Sequence, residues 1–281
     1  MRTLLLPSGR PIPVLGQGTW LMGENPANWQ MEIAALRLGL DLGLSLIDTA
    51  EMYGDGAAEE LIGEAIAGYR ADVFLVSKVL PEHATLRGTI EACGRSLQRL
   101  GTDYLDLYLL HWRGAVPLAE TLEAFQLLKR SGKILDYGVS NFDVDDMEEA
   151  SILPFGNEIV TDQVLYNLVH RGIEWDLLPW CRERSIPIMA YSPIEHSSAE
   201  QQGMLDNPQL KLIALQHGAT PAQIALAWLL QRDVIAIPKA STPEHLKENR
   251  AALDITLSED DLAELDWAFP PPRQKVPLET K

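Results

Sequence analysis

The chain has 281 residues, and its 40 Asp and Glu against 23 Lys and Arg set a formal net charge of −17 at pH 7. With 46% apolar and 22% charged residues it has the composition of an ordinary globular protein, long enough to bury a large core as one domain over residues 1–281. The acidic balance excludes the basic stripes that grip nucleic acid or an anionic membrane.

The first residues hold a short Leu run that soon meets Pro7-Ser8-Gly9. That is too short for a secretory core or a membrane span, and cytoplasm is the expected compartment. Cys93 and Cys181 are far apart within apolar helical patterns, so neither a disulfide framework nor a metal site is expected.

Residues 4–14 read as a β-hairpin with Pro7-Ser-Gly-Arg10 as its turn. Short, mostly apolar runs follow at 14–18, 44–48, 73–77, 104–110, 137–140, 159–163, 186–190 and 234–238. Runs of this kind are strands buried on both faces, as in a parallel sheet. Helical patterns lie between them. Leu86, Ile90, Cys93, Leu97 and Leu100 step by three and four, as do Leu118, Leu122, Phe125 and Leu128, and more weakly Leu61, Ala65 and Tyr69. Thr220-Pro221 opens the helix bearing Ile224, Leu226, Trp228 and Leu229 with an N-cap and a first-turn proline. Ser258 with Asp261 forms a variant capping box that starts an extra C-terminal helix. Eight strands alternating with helices predict an α/β fold, a (β/α)₈ barrel with an N-terminal β-hairpin and that extra helix.

In such barrels the reacting groups lie at the carboxyl ends of the strands. Asp48 closes the second run, Lys78 follows the third, His111 follows the fourth, and Tyr53 lies five residues after Asp48. Singly each has a bland reading as a cap, a solvated lysine or a packed ring. Converging from three successive βα units, they make a coherent set for carbonyl reduction. A free tyrosine, with a pKa near 10, holds its proton too tightly for balanced acid catalysis near neutrality. A cation about 4 Å away stabilises the phenolate by on the order of 4 kcal/mol at an effective dielectric of 20, which is expected to lower that pKa. Lys78 is the candidate cation, Asp48 keeps it protonated, and neutral His111 donates to the substrate oxygen.

These segments resemble the aldo-keto reductases. Leu46-Ile-Asp-Thr-Ala-Glu-Met-Tyr-Gly54 is similar to the family's first signature, and Val76-Ser-Lys78 and Tyr104-Leu-Asp-Leu-Tyr-Leu-Leu-His111 match its other catalytic segments. The resemblance runs from Gly16-Gln-Gly-Thr-Trp20 to about Phe269, and within the family it is similar to the bacterial methylglyoxal-reductase type. It implies reduction of small aldehydes, ketones or dicarbonyls with NADPH, Tyr53 being the general acid, by a monomer whose partners are small molecules.

No Gly-x-Gly-x-x-Gly fingerprint is present, since Gly16-Gln-Gly18 lacks the third glycine and the βαβ context. The resemblance instead places the cofactor on later strands. Ser140, Asn141 and Gln163 match the carboxamide-binding set, whose amide and hydroxyl groups suit both ends of an amide, and Tyr191-Ser192 matches the segment whose ring stacks under the nicotinamide. Lys239 and Ser241 match phosphate contacts, while Glu248 and Asn249 match adenine contacts. His245 departs from the pattern, because the family usually has arginine there. Histidine is neutral for much of the time at pH 7 and lacks the guanidinium fork, so NADH is expected as a weaker second cofactor.

Trp20 and Trp112 are the expected aromatic walls of the substrate pocket. The polar segment 194–207 and the brief tail after Phe269 predict a shallow, open pocket. Two other functions fit parts of the pattern: Lys78 as a Schiff-base nucleophile, and a cofactor-retaining sensor. The charge partner Asp48 opposes the first, and the complete tetrad opposes the second.

Overall fold

The computed structural model describes residues 2–195 and 198–281. Its elements in chain order are β1 (Thr3–Leu5), β2 (Pro11–Pro13), β3 (Gly16–Gly18), α1 (Trp29–Asp41), β4 (Leu46–Asp48), α2 (Ala57–Ala65), β5 (Phe74–Val79), α3 (Leu86–Leu100) and β6 (Leu105–Leu110). Then come α4 (Leu118–Arg130), β7 (Ile134–Ser140), α5 (Val144–Ile152), β8 (Ile159–Leu165), α6 (Leu177–Glu183) and β9 (Ile188–Tyr191). The chain closes with α7 (Ser198–Leu205), α8 (Pro208–Gln216), α9 (Pro221–Leu230), β10 (Ile235–Ala236), α10 (Pro243–Ala251) and α11 (Glu259–Ala268).

Strands β3 to β10 form one parallel eight-stranded sheet in sequential order. Bridges between Leu15 and Ala236 and between Gly18 and Lys239 join its two ends. The seam is fastened by hydrogen bonds from Ala236 N to Val14 O (2.9 Å) and from Gly18 N to Pro238 O (3.1 Å). Glycine is required there, because a Cβ on Gly18 would lie 2.6 Å from the Ile237 carbonyl oxygen. The expected (β/α)₈ barrel is thus the observed one.

The hairpin β1–β2 plugs the amino-terminal end. Its Leu6 and Ile12 pack with Leu46, Val76, Leu107 and Ile235 in the barrel interior. Arg10 fixes it by ion pairs to Asp106 (2.9 Å) and Asp136 (3.1 Å) at the starts of β6 and β7. The opposite, carboxyl end stays free for chemistry.

Local signals set the helix limits, and the caps expected at Thr220 and Ser258 are present. Thr85 Oγ1 accepts from Gly88 N to start α3, and Gly101, with φ of 61°, ends it. Thr220 and Gln223 form a capping box on α9, and Ser258 with Asp261 forms one on α11. One expectation is corrected. Tyr69 lies beyond the end of α2 and is 42% exposed, because the chain leaves the helix after Ala65. Part of the polar segment after β9 is helical (α7), and α8 follows it.

Among the described residues, no helix is long and apolar enough to cross a membrane, and no cluster of His, Cys, Asp or Glu could hold a metal ion.

Candidate active site

Side chains alternate along a strand, so a residue at a strand's carboxyl end faces the barrel axis when it shares parity with the interior residues before it. Leu46 and Val76 face inward, and Asp48 and Lys78 follow each by two positions. Leu107 and Leu109 face inward on β6, and His111 is next in that series. Three consecutive strands therefore deliver their polar termini to one point at the mouth.

β8 reaches the same point by another route. Its register against β7 slips, with Tyr137 opposite Ile159 but Val139 opposite Asp162. This one-residue bulge inverts the alternation, so that interior Val160 is followed by inward Gln163. Gln163 Nε2 donates to Asp48 Oδ1 at 2.7 Å. Asp162 is left fully buried outside the barrel wall, where burial pushes its carboxyl well above the usual carboxylate range.

Lys78 is the centre of the cluster. It is 0% exposed, and its ammonium donates to Asp48 Oδ2 (2.8 Å), Thr49 O (2.8 Å) and Tyr53 OH (3.1 Å). An ammonium has three protons, and all three are placed. Burial opposes the charge, but Asp48 and Tyr53 outweigh it and hold the Lys78 pKa above its ordinary value. The carboxylate of Asp48 is shared between Lys78 and Gln163, which locks both partners.

Tyr53 carries one correction. Lys78 does pull its pKa down, but burial is the larger influence and Asp48 adds to it, so the phenol stands above its ordinary value. It remains protonated at neutral pH, with its oxygen accepting from the Lys78 ammonium. Edge-on contacts with Trp20 (5.0 Å between ring centroids) and His111 (5.8 Å) frame the hydroxyl. Burial, with Lys78 adding to it, pushes the His111 imidazole down to about 2. It is therefore neutral, as expected, and its buried Nδ1 has no protein partner.

Two cavities meet above this cluster. One of about 340 Å³ is lined by Trp20, Tyr53, His111, Trp112, Asn141 and Tyr191, with Ser140, Gln163 and Met52 completing its floor. The second, of about 510 Å³, shares Trp20, Tyr53 and Ser192 with the first and touches Asp48. It extends to Lys239, Ser241, His245, Glu248 and Asn249. The structure thus brings the expected site residues onto two joined cavities, with Lys78 beneath them. Asn141 accepts from Tyr191 OH through Oδ1 (2.9 Å) and donates from Nδ2 to His111 O (3.1 Å). Ser140 Oγ donates to Gln163 O at 2.7 Å. The amide-rich wall is a connected network rather than separate groups.

Residues 270–281 return to the mouth, and Lys281 lines the smaller cavity with Trp20 and Trp112. Sequence reasoning missed Lys281, Met52 and Glu195. Met52 could have been found from its place beside Tyr53, whereas the other two carry no local signal.

A buried phenol on a buried ammonium, beside a neutral imidazole at the carboxyl end of a (β/α)₈ barrel, defines a barrel oxidoreductase of the carbonyl-reducing class. The model of the aldo/keto reductase family matches residues 14–268, and the chain belongs to that family. It is 51% identical over 269 residues to methylglyoxal reductase YeaE of Escherichia coli, covering 95% of each chain. It is 31% identical to an NADH-specific methylglyoxal reductase of the same organism, covering 88% of this chain and 91% of that one. A crystal structure of an aldo/keto reductase from Klebsiella pneumoniae, in complex with NADP and acetate, superposes with a TM-score of 0.97 at 49% identity, covering 99% of each chain.

Proposed function

We propose that this protein is an NADPH-dependent reductase of small aldehydes, ketones and dicarbonyls such as methylglyoxal, working as a single-domain monomer in the cytoplasm. The observation that carries the reading is Tyr53 OH, 3.1 Å from the Lys78 ammonium, at the junction of the two cavities.

The larger cavity fits a dinucleotide. Its far wall offers Lys239, Ser241 and His245 for phosphate and Asn249 and Glu248 for a base. Its near end meets the amide wall of Ser140, Asn141 and Gln163, with Tyr191 as the flat face for a nicotinamide ring. When bound, the cofactor supplies the hydride. The protein's part is orientation and proton delivery. The smaller cavity holds the carbonyl between Trp20 and Trp112, and neutral His111 hydrogen-bonds its oxygen. Tyr53 gives its proton to the developing alkoxide, and Lys78, kept charged by Asp48, stabilises the phenolate left behind. The same pairing opposes a Schiff-base role, which needs a neutral amine.

The decisive experiment is loss of 340 nm absorbance with methylglyoxal and 4-nitrobenzaldehyde, run with NADPH and with NADH. Turnover with NADPH ahead of NADH is expected, and it should vanish in Tyr53→Phe while NADPH binding persists. Substantial turnover in that variant would remove Tyr53 as the acid. Folded protein that binds NADPH but reduces neither aldehyde would favour a sensor.

NADH as a second cofactor is favoured by His245, which lacks the fork that grips a 2′-phosphate. A relative 31% identical to this chain is described as an NADH-specific methylglyoxal reductase, which supports NADH as a second cofactor.

A further inference from the structure

Tyr53 sits in a loop that is braced from one side. Downstream of it Gly54, Asp55 and Gly56 take φ values of 57°, 53° and 93°, a left-handed path that gives the ring no helical support. Upstream lies Glu51, a carboxylate only 7% exposed, which must be well partnered to be tolerated there. Its Oε1 accepts from Leu80 N at 2.8 Å and lies 2.9 Å from His83 Nδ1. Its Oε2 lies 3.6 Å from an Arg95 guanidinium nitrogen. One buried carboxylate thus ties the loop after β4 to the end of β5, to the turn behind it and to α3.

The spacing gives this tie its meaning. Tyr53 follows Glu51 by two residues, and Leu80 follows Lys78 by two. The Glu51–Leu80 bond (2.8 Å) and the Tyr53–Lys78 bond (3.1 Å) are therefore two rungs between the same pair of segments. The backbone adds a longer one, from Glu51 N to Lys78 O at 3.4 Å. A carboxylate bonded to a backbone N–H is the stiffer kind of rung, because charge strengthens and shortens it. The charges that act on Tyr53 and Lys78 are each other's and that of Asp48. Glu51 accordingly works through geometry.

We propose that Glu51 is a positioning residue for the reduction: by accepting from the Leu80 N–H it fixes the loop so that the Tyr53 hydroxyl stays between the Lys78 ammonium and the carbonyl oxygen. It acts through Tyr53 and carries no proton itself. Its effect on rate rests on the reductase reading, whereas the rung between the two segments does not.

The test compares wild type with Glu51→Ala, Glu51→Gln and Arg95→Met. Single turnovers of the NADPH-loaded protein with methylglyoxal are followed, together with KM, NADPH affinity and thermal unfolding. Misplacing a reacting group by about 1 Å can cost about a hundredfold. Glu51→Ala should slow the single turnover about thirtyfold, with KM and NADPH affinity within about twofold of wild type. Glu51→Gln keeps an oxygen for Leu80 and should stay within about threefold. Arg95→Met removes the ion pair but leaves the rung, so it should lower Tm without slowing the turnover. Should Glu51→Ala fail to fold, Glu51→Leu fills the space without an acceptor and carries the same expectations. A rate within about threefold of wild type in the variant lacking the acceptor, or Glu51→Gln as slow as that variant, would overturn the proposal. Wild-type protein that reduces neither methylglyoxal nor 4-nitrobenzaldehyde would count against the reductase reading instead. Amide exchange at Leu80, faster in Glu51→Ala than in Glu51→Gln, would still decide the rung.

Discussion

Replacing Lys78 with methionine removes one charge and nearly preserves the length of the side chain. The ammonium lies 3.1 Å from the Tyr53 oxygen. At an effective dielectric of about 20, a full charge at that separation stabilises the phenolate by about 5 kcal/mol. If desolvation and relaxation take back about half, the loss raises the barrier by roughly 3 kcal/mol, a fall of about a hundredfold in kcat. Tyr53 stays protonated in the variant, because burial alone already raises its pKa. The defect should therefore persist across the neutral range rather than appear as a shifted pH optimum. Stability should suffer too, by about 3–5 kcal/mol, because Asp48 is left buried without its cation. The added change Asp48→Asn should recover most of that stability and none of the rate. Stopped-flow single turnovers and thermal unfolding of the two variants measure these effects. A folded Lys78→Met enzyme whose kcat lies within about tenfold of wild type would refute the electrostatic role assigned to the lysine.

The His111 imidazole, held near 2, is neutral in the folded protein and regains its ordinary pKa near 6.5 on unfolding. The unfolded chain then binds the extra proton below about pH 6.5, so this residue's contribution is present above that pH and is lost as pH falls. His111→Gln should accordingly flatten the decline in Tm between pH 7 and pH 4, and an unchanged slope would contradict the assignment. Gly18→Ala places a methyl group 2.6 Å from the Ile237 carbonyl oxygen at the barrel seam. Overpacking of this kind costs about 1–3 kcal/mol, to be read as a lower midpoint in urea. His245→Arg should tighten NADPH by about tenfold and NADH far less, as measured by quenching of tryptophan fluorescence. Equal effects on the two cofactors would remove His245 from the phosphate site.

Much of the site was legible in the chain because each tetrad member ends or follows an apolar run. Strands buried on both faces are mostly apolar, so Asp48, Lys78 and His111 at their carboxyl ends stand out locally. The helix starts at Thr220 and Ser258 were legible for the same reason: caps act within one turn. Gln163 was identified, but its inward direction depends on the slip in register between β7 and β8, which concerns how two strands pair. The sign of the Tyr53 shift was not legible either. A cation and a carboxylate can be paired from sequence, but the depth of burial that outweighs them belongs to the packed structure.

Sequence alone determined the barrel, its N-terminal hairpin and the strand-end placement of the four candidate groups, because hydrophobic period and strand-end polarity are properties of neighbouring residues. The tertiary structure decided how those groups are charged and what walls them in. Glu195 and Lys281 stand 86 positions apart, and their pairing across the mouth is set by the path of the tail over the barrel. Contacts of that kind depend on where the packed helices leave room for the chain to return, and no local pattern encodes it.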